Sequence, residues 1–211
     1  MVEMSDAPAP QSRPRILAGY AALGLAVVAA LAVGVYLFTS GEDEPEFTGP
    51  TGLPTVYADT GPLDPNRPEV GEPAPDFVLR DARDTSVARK LSDYRGQPVV
   101  LNWYASWCAP CKNEIPLFLE AQEALDGEFV ILGVDYLETQ DKAIGILDEL
   151  GAEYPAVLDA DGEVAAHYRV PGMPTTYFID SEGVIRGFKA GEVHEEQLVE
   201  LLATVGLTWT P

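Results

Sequence analysis

An α/β sandwich with a mixed central sheet is the fold class the sequence predicts, and three observations carry it. Two nearly continuous apolar runs, at 97–106 and 128–136, are each followed by a stretch with helical spacing. Two short strand-like runs follow around a polar turn, and an amphipathic stretch closes the chain. Strand, helix, strand, helix, then hairpin and helix builds a sheet with both parallel and antiparallel neighbours.

The domain begins near Gly71, where PDFVLRD (75–81) and TSVARKL (85–91) read as two short strands around the Arg83-Asp84 turn. QPVVLNWYAS (97–106) is rich in β-branched and aromatic residues, as a central buried strand must be. From Ala109 to Leu125 the apolar positions Ile115, Leu117, Phe118, Ala121, Ala124 and Leu125 predict a helix, which Asp126-Gly127 ends. EFVILGVDY (128–136) is a second buried strand. A helix is predicted over 139–150, with Ala143, Ile144, Ile146, Leu147 and Leu150 on one side and Gly151 as its stop. AVLDADGEV (156–164) reads as a short strand and turn. TTYFID (175–180) and VIRGFKAG (184–191) form a hairpin around Ser181-Glu182-Gly183, and Glu195 to Val205 is the closing helix.

Ahead of this domain, residues 1–15 are short, polar and proline-containing, and read as a cytoplasmic tail. Ile16 to Phe38 then run 23 residues without a charge. As a helix they would span roughly 34 Å, enough for a hydrocarbon core of about 30 Å. Arg13 and Arg15 precede the run, and Glu42, Asp43, Glu44 and Glu46 follow it. Bases at one flank place the N-terminus inside and the domain outside, in the cell membrane as a single-pass anchor. A cleaved signal peptide is the rival, with Thr39-Ser40-Gly41 as its small-residue site, but signal cores run about 7–15 residues. Residues 39–70 are rich in Pro, Gly, Asp and Glu, without period, and read as a linker.

The chain holds 34 acidic against 13 basic residues, and 71–211 alone hold 25 against 10. Such a surface repels phosphate backbones, which argues against nucleic acid as a partner.

The only cysteines, Cys108 and Cys111, lie three apart in WCAPC, where the first long buried strand passes into its helix. A structural staple closing so small a loop would stabilise little. A zinc site needs three or four ligands, and His167 and His194 are spaced to suit no zinc pattern. Redox chemistry explains more. At a helix start, unsatisfied N–H groups and the dipole favour the Cys108 thiolate. Pro110 suits a first turn that needs no amide donor. Cys111, a turn further on, can resolve a mixed disulfide.

The stretch NWYASWCAPCKNEIP resembles the thioredoxin superfamily, in particular the membrane-anchored group of ResA, CcmG and TlpA. The similarity runs from about Gly71 to Leu207 and includes VLDADGEVAAHYRVPGMPTTYFIDSEGVIRGFKAG. Trp103-Tyr104 departs from the Phe-Trp common in that group. The resemblance implies a thioredoxin fold: a mixed central sheet, helices on both faces and an extra N-terminal β-hairpin. It also implies thiol–disulfide exchange by Cys108 and Cys111. Pro174, in Met173-Pro174-Thr175, matches the cis-proline that faces the cysteines, and a cis bond there leaves the preceding backbone free to pair with a substrate strand. Trp107, Pro110, Met173 and Pro174 are the expected substrate-binding residues. Pro116 matches the proline that kinks the helix.

Where thioredoxins proper carry a buried aspartate six before the first cysteine, this chain has Asn102, which takes no proton. Glu114, three beyond Cys111, can share its helical face. ResA-type proteins have a glutamate there, so the resemblance gives Glu114 the role of proton handler, with a solvated surface carboxylate as the plain alternative. Lys112 reads as surface charge. The resemblance further implies a reductant that keeps apocytochrome c thiols free, with a CcdA- or DsbD-like transmembrane electron donor and no cofactor beyond the cysteine pair. Two rivals stand beside it: an oxidase of exported proteins, and a copper-handling partner in oxidase assembly.

Overall fold

Apolar runs bounded by polar turns become seven strands in one sheet. The computed structural model describes residues 68–211; the expected tail 1–15, anchor 16–38 and all but the last residues of the 39–70 linker lie outside them. Among the described residues no helix is long and apolar enough to cross a membrane. The strands are β1 (Val78–Asp81), β2 (Ala88–Lys90), β3 (Val99–Tyr104), β4 (Val130–Tyr136), β5 (Ala156–Asp159), β6 (Thr175–Ile179) and β7 (Ile185–Ala190). The helices are α1 (Ala109–Ala124), α2 (Gln140–Glu149), α3 (Glu163–His167) and α4 (Glu195–Thr204), with a 3₁₀ turn at Leu91–Tyr94.

The sheet order is β2-β1-β5-β4-β3-β6-β7. β3, β4 and β5 run parallel; β1 pairs antiparallel with β2 and β5, and β6 antiparallel with β3 and β7. The sheet is thus mixed. All six residues of β3 are buried, as its apolar run requires of a strand covered on both faces.

Alternation along β3 divides the core in two. Val100 and Tyr104 pack with Ile115 and Phe118 of α1, Ile146 and Leu147 of α2, and Leu198 and Leu202 of α4. Leu101 and Trp103 face the other way, against Val164 and Ala165 of α3 and Leu91 of the 3₁₀ turn. Burying a side chain such as Ile115 or Phe118 stabilises by about 1.5–3 kcal/mol. The Trp103-Tyr104 pair serves both layers. Trp103 sits 4.8 Å from the Tyr168 ring and 5.9 Å from Tyr177, whereas Tyr104 donates its hydroxyl to the Ala143 carbonyl at 3.2 Å. Gly133 makes room for it: a Cβ there would stand 2.9 Å from the Tyr104 ring.

Two short elements were not anticipated. The 156–164 stretch is β5 followed by a turn and the start of α3, and five helical residues are too few to display a 3.6-residue period. The 3₁₀ turn begins inside the run that reads as a strand to Leu91; β2 stops at Lys90 because the chain turns there to bury Leu91.

Candidate active site

The site lies at the C-terminal ends of β3 and β4. After Tyr104 the chain makes a tight turn, the Cys108 N–H donating to the Ala105 carbonyl at 3.1 Å. Cys108 has extended backbone and caps α1, its Sγ accepting from the Cys111 N–H at 3.1 Å. A sulfur in that position sits among the free N–H groups of a helix start, where negative charge is favoured. Pro110 occupies the first turn and Pro116 lies inside the helix. Cys108 and Cys111 form a disulfide with Cα atoms 5.3 Å apart, Cys108 3% exposed and Cys111 fully buried. That ordering suits an outer sulfur that meets other molecules and an inner one that does not.

Glu114 is not a solvated helix carboxylate. It is 1% exposed, on the same inward side of α1 as Cys111. One carboxylate oxygen accepts from the Asn102 amide at 2.7 Å and the other from the Val193 N–H at 2.8 Å. Burial pushes its pKa up, the two hydrogen bonds pull it back, and the balance lies at about 7, with the Glu192 charge raising it and Lys189 lowering it. A carboxyl poised there can hold or release a proton near neutrality.

Asn102 is the residue whose part sequence reasoning missed. The strand asparagine looks like a lost base, yet its amide joins Glu114 to Thr176, whose hydroxyl it meets at 2.9 Å. Position parity was the available signal, since Asn102 and Tyr104 project from the same face of β3 toward α1. Thr176 is two residues past the Met173–Pro174 peptide, which is cis. Because Trp103 pairs with Thr175, that peptide lies at the same end of the sheet as the cysteines. Thr175 donates its hydroxyl to the Gly172 carbonyl at 2.7 Å, and the Pro174 carbonyl accepts from Gly191 at 2.9 Å, which pins the loop. Met173 is half-buried and packs against both core layers.

Trp107 is 65% exposed, so packing in the core does not explain its ring. The preceding residue is held firmly: Glu138 accepts from the Ser106 N–H at 2.5 Å and its hydroxyl at 2.7 Å. Next to Glu138 stands Asp135, fully buried, its pKa raised to about 8 by burial first and then by the Glu138 charge, with the Glu138 N–H pulling it back. Neither acid was singled out from sequence. Lys112 pairs with Glu149 at 2.7 Å, a surface ion pair. His194 is exposed at the start of α4, and His167 lies on α3.

Comparison with known proteins identifies the family. The AhpC/TSA family model matches residues 70–188, more than half the chain. The thiol-disulfide oxidoreductase ResA of Geobacillus kaustophilus is 34% identical over 137 residues, covering 64% of this chain and 78% of that protein. The thiol:disulfide interchange protein DsbE of Xylella fastidiosa is 32% identical over 141 residues, covering 64% and 71%. Among solved structures, a candidate thiol:disulfide interchange protein DsbE from Chlorobium tepidum superposes with TM-score 0.59 at 30% identity, over 66% of this chain and 99% of that one. The fold is thus thioredoxin-like. The chain belongs to the AhpC/TSA family, within which it is a thiol–disulfide oxidoreductase of the ResA/DsbE type.

Proposed function

We propose that the protein is an extracytoplasmic reductant of exported protein disulfides, serving cytochrome c maturation. The buried Glu114, hydrogen-bonded between β3 and Val193 one turn along the helix from Cys111, carries this proposal. In the reduced protein the Cys108 thiolate attacks a client disulfide, forming a mixed disulfide and expelling one client thiolate. Cys111 then loses its proton, with Glu114 as acceptor, and attacks the Cys108 sulfur. A Cys108–Cys111 disulfide forms and expels the second client thiolate; with one proton from Glu114 and one from solvent the client leaves as a dithiol two electrons richer. Trp107, Pro110, Met173 and Pro174 border the client chain. A CcdA- or DsbD-like membrane protein returns the two electrons, and residues 16–38 hold the domain at the membrane. Apocytochrome c, with its two haem-attaching thiols, is the client that the likeness to ResA supports. No metal or organic cofactor takes part.

The test is the reduction potential of the full chain, measured against glutathione and thioredoxin couples. A potential below about −250 mV supports a reductant. One near about −120 mV, the range of strong oxidants, would instead make it a disulfide-forming oxidase.

A further inference from the structure

Four large apolar side chains are exposed among the described residues, and two of them, Trp107 and Leu137, lie on segments that touch. Ser106, just before Trp107, is bonded twice to Glu138, just after Leu137. Leu137 is 44% exposed and has φ 57°, the left-handed region that a bulky residue rarely adopts. Its surroundings hold it there. Its N–H donates to the Asp159 carbonyl at 3.1 Å, an oxygen that also accepts from Gly162 at 3.2 Å. Gly162 lies directly beneath the side chain, since a Cβ there would stand 3.2 Å from Leu137 Cδ2. A glycine or asparagine would fit this backbone with less strain. An exposed leucine kept in a strained conformation, braced from below and tied to the cysteine turn, has the character of a functional contact.

The exchange chemistry names the occupant. A client disulfide that reaches Cys108 brings the residues flanking its half-cystine across this rim, each extending about 3.3–3.6 Å. We infer that Leu137, together with Trp107, selects clients whose half-cystine is flanked, within about four residues, by an apolar side chain. This rests on the reductant function proposed above, and Leu137 acts on specificity, not on the sulfur chemistry.

The experiment uses the full chain, reduced, and synthetic peptides containing an intramolecular Cys-Ala-Ala-Cys disulfide. One has serines at the four positions on either side; the others place a single leucine at each of those positions in turn. The wild-type protein is expected to show a KM lower by about fivefold or more for at least one leucine peptide, with kcat little changed. Leu137→Gly and Leu137→Asn should lower that ratio severalfold, with Trp107 keeping the remainder, and Leu137→Met should keep it. Because the readout is a ratio within one variant, a general loss of folded protein does not imitate it. An unchanged ratio in Leu137→Gly, or a wild-type protein indifferent to leucine, would overturn the inference while leaving the reductant function standing. Failure of the wild-type protein to reduce any peptide would overturn both.

Discussion

The two ends of the sheet bury their acids to different depths: Asp76 and Asp180 are half-buried, whereas Glu114, Asp135 and Asp159 are buried. At the end remote from the cysteines, Asp76 accepts from the Ser92 N–H at 2.9 Å and its hydroxyl at 2.7 Å. Asp180, beside the start of β3, accepts from Val184 and Glu182 N–H groups and from Arg186. At the cysteine end, Glu114, Asp135 and Asp159 are all buried with pKa values pushed up by burial to about 7, 8 and 7. At the remote end the acids hold turns through hydrogen bonds. The other keeps carboxyls where ionisation is costly, and that is where protons must be exchanged.

Glu114→Gln attacks this contrast most directly and should have the largest effect. The glutamine can still accept from Val193 or Asn102, so the fold is expected to persist, but the proton acceptor is gone. Resolution of a mixed disulfide at pH 7 should slow by about 100-fold, and the inflection near pH 7 in its rate should vanish. Stopped-flow measurement of dithiol oxidation across pH 5–9 checks both. A rate and profile equal to wild type would remove Glu114 from the mechanism. Asn102→Ala, which strips one stabilising donor from the carboxylate, should move that inflection upward in pH.

Asp135 tests the same contrast through stability. Its folded pKa is raised above the unfolded value near 3.8. Above pH 4 the unfolded chain therefore gives up a proton that the native state retains. Stability falls as pH rises, and the loss is complete above about pH 8. Asp135→Asn removes the penalty and should stabilise the protein at pH 8.5 by on the order of 1–3 kcal/mol, with little change at pH 4. The groups that face Asp135 include Glu138, Asp159 and Tyr104, and Glu138 approaches Lys142 at 3.8 Å. Urea unfolding at the two pH values is the measurement, and a loss of stability at pH 8.5 would mean that Asp135 has a favourable partner as an anion.

Much of this was legible in the sequence because it depends on local pattern. The β3 run and the α1 period are each set by a few contiguous residues, and Cys108, Pro110 and Cys111 follow from their place at that junction. Glu114 could be placed on the cysteine side of α1 by spacing alone. What sequence could not supply was long-range pairing. Val193 comes 79 residues after Glu114, and Thr176 74 residues after Asn102, so neither partner leaves a local trace. The same holds for Glu138, which the sheet brings to Ser106, 32 residues earlier. Leu137 gives no signal either, because leucine is not a residue that announces a left-handed backbone.

The smallest expected effect belongs to the other end of the sheet and has the opposite sign. Burial alone would raise the pKa of Asp180, but the Val184 N–H, the Arg186 guanidinium and the Glu182 N–H outweigh it, and the net shift is downward. A carboxylate with a lowered folded pKa contributes stability that is present above its unfolded pKa and lost as pH falls through the folded one. Asp180→Asn should therefore cost about 1 kcal/mol at pH 7, and the difference should shrink as pH falls through the lowered folded pKa. Arg186 is 41% exposed in its pair with Asp180, so solvent screens the charge and most of the loss should come from the turn hydrogen bonds. Added salt should then leave the difference at pH 7 nearly intact. If 1 M salt erased it, the ion pair would be the larger part, and this end of the sheet would be held by charge and not by its turn.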